Sequence, residues 1–238
     1  MIVDHVSIQE NIFKVRSRIA CAAKRCGREP SSIKLLAVSK GKPPSAIEEA
    51  YAAGQRLFGE NYVQELLKKM EALGNLDIEW HMIGRLQRNK VKYIVPFIKY
   101  IHSIDSIPLM MEIEKRAKRP IDCLVEVNLS GEPTKGGIEK EKVSGLIREA
   151  NDMKNVHLRG LMTIPPFASD ISVSRRYFKE LHLLLHEVNR SGLYHTQLTE
   201  LSMGMSFDME VAIEEGATIV RVGTDIFGPR DGRRESVR

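Results

Sequence analysis

Eight short segments rich in Val, Ile and Leu recur along the chain about every 20 to 40 residues, and helix-period segments lie between them. That alternation is the strongest constraint on the fold. The predicted strands are 34–39, 56–60, 78–84, 100–104, 121–128, 157–163, 199–203 and 218–224. Helices fit between them at 45–53, 61–73, 86–95, 106–117, 139–152, 172–190 and 206–215, and a further helix over 6–26 precedes the first strand. Strict alternation leaves a closed (β/α)8 barrel or an open doubly wound sheet. A count of eight, and a length of 238 residues near the ~250 typical of barrels, favour closure. Strands apolar along their whole length agree, because parallel strands are covered on both faces. No linker rich in Pro, Gly or Ser divides the chain, so the expected organisation is an α/β protein: one (β/α)8 TIM-type barrel over 1–228 and a basic tail over 229–238.

Local punctuation supports several boundaries. Ser45 with Glu48 has capping-box spacing after Pro43-Pro44. Gly54 and Gly216 each follow a helix and precede a strand, as left-handed C-terminal caps do. The stretches AIEEAYAAGQRLFGE and AIEEGATIVRVGT share a helix, glycine, strand order, too short to establish duplication.

Charge and cysteine usage narrow the function classes. Hydrophobic residues at 42% and charged residues at 28% suit a folded globular chain and disfavour disorder. The 36 Lys and Arg exceed the 31 Asp and Glu by five, which invites a nucleic-acid reading. The tail PRDGRRESVR alone holds four Arg against two acids, so the body carries +3, a balance that suits a small phosphorylated ligand equally well. Arg85, Arg88, Lys90 and Lys92 in GRLQRNKVK read first as a solvated helix face, and nucleic acid is not expected as a partner. The N-terminus lacks the layout of a secretory signal, and no stretch approaches a membrane span, so the expected location is the cytoplasm. Cys21, Cys26 and Cys123 form an odd set without CxxC spacing, which suggests neither a disulfide framework nor zinc.

A barrel places its active site at the C-terminal ends of its strands. Those positions are Lys40, Asn61, Gly84, Asp105, Asn128, Thr163, Ser202-Met203-Gly204 and Gly223-Thr224, mostly polar or glycine. Lys40 stands where the apolar run of LLAVSKGKP stops. A lysine partly enclosed by a barrel mouth loses its proton readily and condenses with an aldehyde; the plainer reading is a strand-end lysine reaching solvent. Lys42 competes with it but belongs to the loop before Pro43-Pro44.

In LSMGMSFDMEVAI a strand runs through glycine and serine into a helix that Ser206 can cap, and helix N-termini bind anions. The final strand ends VRVGTDIFG, where Gly223 allows close backbone approach and Thr224 offers a hydroxyl. Phosphate sites after strands seven and eight are frequent in this fold; an ordinary capped helix and glycine turn is the plainer reading. A phosphate at one end and an aldehyde at the other is the anatomy of pyridoxal 5′-phosphate. Arg221 shares strand parity with Ile219 and Gly223 and so points inward. It either pairs with Glu200 on the preceding strand, a purely structural role, or faces the pyridine nitrogen. Since arginine keeps its proton, the latter leaves that nitrogen unprotonated and the ring a weaker electron sink.

The segments LLAVSKGKP, FGENYVQE, EWHMIGRLQRNK, GLMTIPP, LSMGMSFDMEVAI and VRVGTDIFG, in order over about residues 34–228, resemble the pyridoxal phosphate homeostasis protein family, which shares the N-terminal barrel of alanine racemase. The resemblance implies that Lys40 holds the cofactor as a Schiff base (the internal aldimine), that Asn61 lies beside the ring, and that Arg221 faces its nitrogen. It also implies that Ser202, Ser206, Gly223 and Thr224 gather around the phosphate. The family usually shows a threonine after the lysine, where this chain has Gly41.

Two functions follow from the resemblance. One is a carrier or buffer of the cofactor in vitamin B6 and amino-acid homeostasis, expected as a monomer, with apo-enzymes as possible acceptors. The other is an amino-acid racemase. Racemases of that type resemble this barrel followed by a second domain that supplies a catalytic tyrosine, whereas this sequence stops about ten residues after IFG. Racemisation needs acid–base groups on both faces of a carbanion, and one lysine covers one face. Tyr62, the nearest tyrosine, falls at a helix start, so the carrier is the preferred reading. His182 and His186 have a helical spacing that can bind metal but lack a third ligand, and Met203, Met205 and Met209 read as loop packing.

Overall fold

Parallel pairing closes into a ring. In the computed structural model, which describes residues 7–132 and 134–229, eight strands form the barrel. They are β1 (Lys34–Val38), β2 (Leu57–Glu60), β3 (Glu79–Met82), β4 (Tyr100–Ile104), β5 (Ile121–Asn128), β7 (Val156–Met162), β8 (Glu200–Ser202) and β9 (Ile219–Val222). Their order is β4-β3-β2-β1-β9-β8-β7-β5, and a further β4–β5 pairing completes the circle. The sequence does not signal β6 (Ile138–Glu139), a two-residue strand that pairs in parallel with the end of β5.

Helices cover the outside: α1 (Ile8–Arg25), α2 (Pro44–Ala52), α3 (Val63–Ala72), α4 (Arg88–Ile94), α5 (Ile107–Arg116), α6 (Val143–Glu149), α7 (Ile171–Arg190), α8 (Met209–Glu214) and α9 (Thr224–Phe227). The segment expected as one helix over 139–152 is instead α6 flanked by two short 3-10 turns. None of the described helices is long and apolar enough to cross a membrane. The expected basic tail lies, apart from Pro229, outside the described residues.

Strand alternation produces two cores. Leu36, Val38, Ile83, Tyr100, Leu124, Met162 and Ile219 fill the barrel interior, with Leu57 packed against them. The alternate positions, such as Leu35, Ala37 and Val220, join the larger apolar layer beneath the helices. The barrel is thus packed rather than hollow at mid-height, which forces ligands to the mouth. Helix α1 starts at Ser7, whose hydroxyl accepts from the Glu10 amide at 3.2 Å. It buries Ile12, Val15, Ile19, Ala22 and Ala23 against the sheet's outer layer and packs beside α8 and α9.

One cap differs from expectation. Helix α2 begins at Pro44 with Pro43 as its N-cap, and Ser45 makes no capping bond. Proline at the first helical position has no N–H to satisfy and a preset φ, so the boundary needs no serine. Gly54 and Gly216 do take left-handed conformations, φ +84° and +101°.

Gly160 is required by close approach rather than by φ: a Cβ there would meet the Glu200 carbonyl oxygen at 1.8 Å. Gly160→Ala is therefore expected to wedge β7 from β8 and cost about 1–3 kcal/mol, lowering Tm by roughly 2–10 °C. A thermal melt followed by circular dichroism checks this, and an unchanged Tm contradicts it.

Candidate functional site

Lys40 continues the inward parity of Leu36 and Val38 into the turn that ends β1, and it is half-buried there. Both its neighbours are anchored. The Ser39 hydroxyl donates to Glu60 Oε1 at 2.6 Å, and Lys69 Nζ donates to the same oxygen at 2.7 Å and to the Ser39 carbonyl at 2.8 Å. The Gly41 amide donates to Glu65 Oε2 at 2.8 Å. Gly41 has φ +72°, a left-handed conformation that explains glycine after the lysine. Glu60 and Lys69 are almost fully buried, and burial pushes the Glu60 carboxyl up despite these partners. This Glu60–Lys69–Glu65 group was not singled out from the sequence.

The register that pairs Val38 with Gly59 carries Asn61 alongside Lys40. Its Oδ1 is buried with no hydrogen-bond partner among the described residues. Asn61 also lines a cavity of about 670 Å³ at the barrel mouth, together with Tyr62, Arg85, Arg88 and Asp105. Tyr62 is exposed at the start of α3, and Gly84 passes so close to Asn61 that a Cβ would meet its carbonyl at 2.3 Å.

Arg221 points into the barrel, as parity predicts, and is buried. The alternative of a structural pair with Glu200 does not hold. Glu200 instead accepts from Lys34 Nζ and from Thr218 Oγ1, both at 2.6 Å. Ser202 lies level with Ile219, so Glu200 sits four residues below Arg221, roughly 13 Å at ~3.3 Å per residue. Arg221 Nη1 donates to Ser202 Oγ at 2.7 Å, and Nη2 donates to the Thr163 carbonyl at 2.9 Å. Burial lowers its pKa to about 10, with Glu126 and Asp208 opposing, so the guanidinium stays charged at neutral pH. Ser202, expected near a phosphate, is completely buried and committed to this interior cluster.

The loops after β8 and β9 form the other side of the mouth. Gly204 turns with φ +90°, and the Met205 amide donates to Asp208 Oδ1 at 2.7 Å. That turn delays helix α8 to Met209, so Asp208 rather than Ser206 is its N-cap residue. Ser206 remains in the turn, where its Oγ accepts from the Asp225 amide at 3.4 Å. Gly223 approaches β1, with a Cβ position 3.2 Å from the Val38 carbonyl, and Thr224 is exposed. Arg18 of α1, absent from the sequence reading, ties both loops together. It bonds both Glu210 carboxylate oxygens, at 2.6 and 3.1 Å, the Ser206 carbonyl at 3.1 Å, and Asp225 Oδ2. Met203 and Met209 are buried, while Met205 is exposed.

The donor set suits an anionic aromatic aldehyde. The C-terminal ends of the strands and the turns beyond them carry a half-buried lysine, an amide oxygen without a hydrogen-bond partner and two hydroxyls beside glycine-bearing turns, and a buried cation lies deeper on β9. The profile of the alanine racemase N-terminal domain matches residues 11–231. A curated relative from Aquifex aeolicus, the pyridoxal phosphate homeostasis protein, is 51% identical over 93% of this chain and 97% of its own. The chain belongs to the pyridoxal phosphate homeostasis protein family. The family's Escherichia coli member is 40% identical over 94% of this chain and 97% of its own. PipY of Synechococcus elongatus, solved with PLP bound, superposes with a TM-score of 0.84 at 36% identity, covering 93% of this chain and all of that one. Alanine racemase from Corynebacterium glutamicum shares the fold, with a TM-score of 0.69 at 14% identity over 95% of this chain and 65% of its own.

His182 and His186 lie apart from the mouth. Their Nε2 atoms are 2.7 Å apart, and His182 Nδ1 bonds the Glu215 carbonyl at 2.7 Å, joining α7 to the end of α8. Among the described residues no group of three potential metal ligands occurs.

Glu126 lies two residues inside the end of β5, so its strand position gives no sign of a role at the rim. Burial raises its carboxyl to about 7, against the pull of Arg221. Folding therefore favours the protonated form, and this contribution to stability is lost as pH rises through about 7. Glu126→Gln is expected to be more stable than the parent by about 1–3 kcal/mol near pH 8, with the gap closing toward pH 5. Urea unfolding at both pH values checks this, and a gap independent of pH contradicts it.

Proposed function

We propose that this chain binds pyridoxal 5′-phosphate at the C-terminal mouth of the barrel and carries or buffers it, serving vitamin B6 and amino-acid homeostasis without efficient turnover. The observation that carries the reading is the pairing of a mouth lysine, Lys40, with a buried arginine that keeps its proton, Arg221. The names of the relatives and the PLP-bound PipY structure support it.

In this reading Lys40 is the point of covalent attachment, Asn61 lies beside the ring, and Arg221 faces the ring nitrogen. Ser206, Gly223 and Thr224 receive the phosphate, and Ser202 contributes by holding Arg221. The bound cofactor supplies an aldehyde that captures amines and a ring that withdraws electrons. Arg221 limits the second property, because a donor that never yields its proton leaves the ring nitrogen unprotonated. The same choice suits storage: the aldehyde is held and released while carbanion chemistry is disfavoured. Apo-enzymes that need the cofactor are the fitting acceptors.

A racemase of low activity is the competing reading. It needs a second acid–base group opposite Lys40, and Tyr62, the tyrosine adjoining Asn61, is exposed at a helix start.

Borohydride reduction of the protein loaded with pyridoxal 5′-phosphate is expected to fix one label, on Lys40, and Lys40→Ala is expected to abolish it. A label on Lys42 or elsewhere, or one that survives the substitution, contradicts the assignment. Across a panel of amino acids the loaded protein is expected to show no saturable racemisation; turnover abolished by Lys40→Ala favours the racemase.

A further inference from the structure

Arg221 is one end of a hydrogen-bonded chain that crosses the barrel interior. Beyond Ser202, His102 Nδ1 lies 2.9 Å from Ser202 Oγ, and His102 Nε2 lies 2.8 Å from His81 Nδ1. His81 Nε2 then lies 3.0 Å from Glu79 Oε1. Both histidines are fully buried, and the His81 ring stacks on Tyr100 with centroids 5.0 Å apart. Glu79, at the other end, is partly exposed.

The proton arrangement follows from either end. Arginine cannot accept, so Ser202 Oγ accepts from Arg221 and gives its own proton to His102 Nδ1. His102 is then the Nε2–H tautomer and donates to His81 Nδ1. His81 is likewise Nε2–H and donates to Glu79. Starting from the carboxylate gives the same answer: Glu79 accepts, so His81 carries its proton on Nε2. Burial pushes both histidines below their usual pKa, which keeps them neutral and each limited to one proton. Glu79, drawn down by its bond to His81, stays ionised. Every donor therefore points from the cation toward the anion, and the aligned dipoles reinforce one another.

We propose that His102, backed by His81 and Glu79, is a positioning residue that fixes Arg221 as a donor aimed at the ring nitrogen of the bound cofactor. This rests on the proposed binding of pyridoxal 5′-phosphate and adds a claim about what orients its arginine. Without the His102 acceptor, the Ser202 hydroxyl is free to rotate, and the guanidinium keeps only the Thr163 carbonyl as a fixed partner.

The test compares two ligands: pyridoxal 5′-phosphate and the analogue whose ring nitrogen is replaced by C–H. The unmodified protein is expected to prefer the natural cofactor. His102→Phe, which keeps a planar ring, is expected to weaken pyridoxal 5′-phosphate by about tenfold while leaving the analogue unchanged, the scale of one charge-assisted hydrogen bond. His102→Gln keeps one acceptor and one donor and is expected to restore the preference. Equal losses for both ligands, an unchanged preference in His102→Phe, or no preference in the unmodified protein overturns the positioning role. Failure of the unmodified protein to bind pyridoxal 5′-phosphate at all strikes instead at the proposed function. A second readout needs neither variant nor cofactor: 15N NMR of the histidine rings is expected to show His81 and His102 as neutral Nε2–H tautomers at neutral pH. A proton on Nδ1 of His102 overturns the chain.

Discussion

The buried charge of Arg221 is the constraint around which the barrel interior is organised. An arginine held inside a packed barrel costs several kcal/mol in lost hydration, so its N–H groups must find hydrogen-bond partners there. Here Ser202 and the Thr163 carbonyl supply the bonds, while the carboxylates of Glu126 and Asp208 act on it from nearby. Two histidines carry the polarisation onward to Glu79. Four strands contribute to this one chain: β9 gives Arg221, β8 Ser202, β4 His102 and β3 both His81 and Glu79. Such a set is assembled only when the sheet closes, so building the site and forming the fold are one event.

Lys40 depends on a separate support. The Glu60–Lys69–Glu65 group grips residues 39 and 41 and leaves the lysine between them at the mouth. Arg18 performs the corresponding task for the loops after β8 and β9, reaching from the N-terminal helix to Ser206, Glu210 and Asp225. Thus α1 is more than a cover for the barrel: it fastens two loops that belong to different βα units.

The architecture was legible because periodicity reports burial. Strands covered on both faces read as continuous apolar runs, and the ends of the eight that close the barrel fall within two residues of their expected positions. Strand-end position likewise exposed Lys40 and Asn61, and parity turned Arg221 inward. Register was not legible. Glu200 and Arg221 face the same interior, yet four residues of stagger separate them, and only the closed sheet shows that Ser202 takes the arginine. His81 and His102 lie within short strands, where a lone histidine carries no signal, and their partnership spans two strands. Glu126 was missed for the same reason, being inside its strand rather than at its end. Ser206 failed as a helix cap because Gly204 and Asp208 make a turn that postpones the helix.

In the function proposed above, one barrel mouth brings Lys40 and Arg221 to the same molecule of pyridoxal 5′-phosphate. The most direct measurement is an absorbance titration of the purified protein with that cofactor. A new band near the visible edge is expected to saturate at one equivalent and to disappear in Lys40→Ala. A spectrum equal to the sum of free cofactor and protein at every ratio would contradict it.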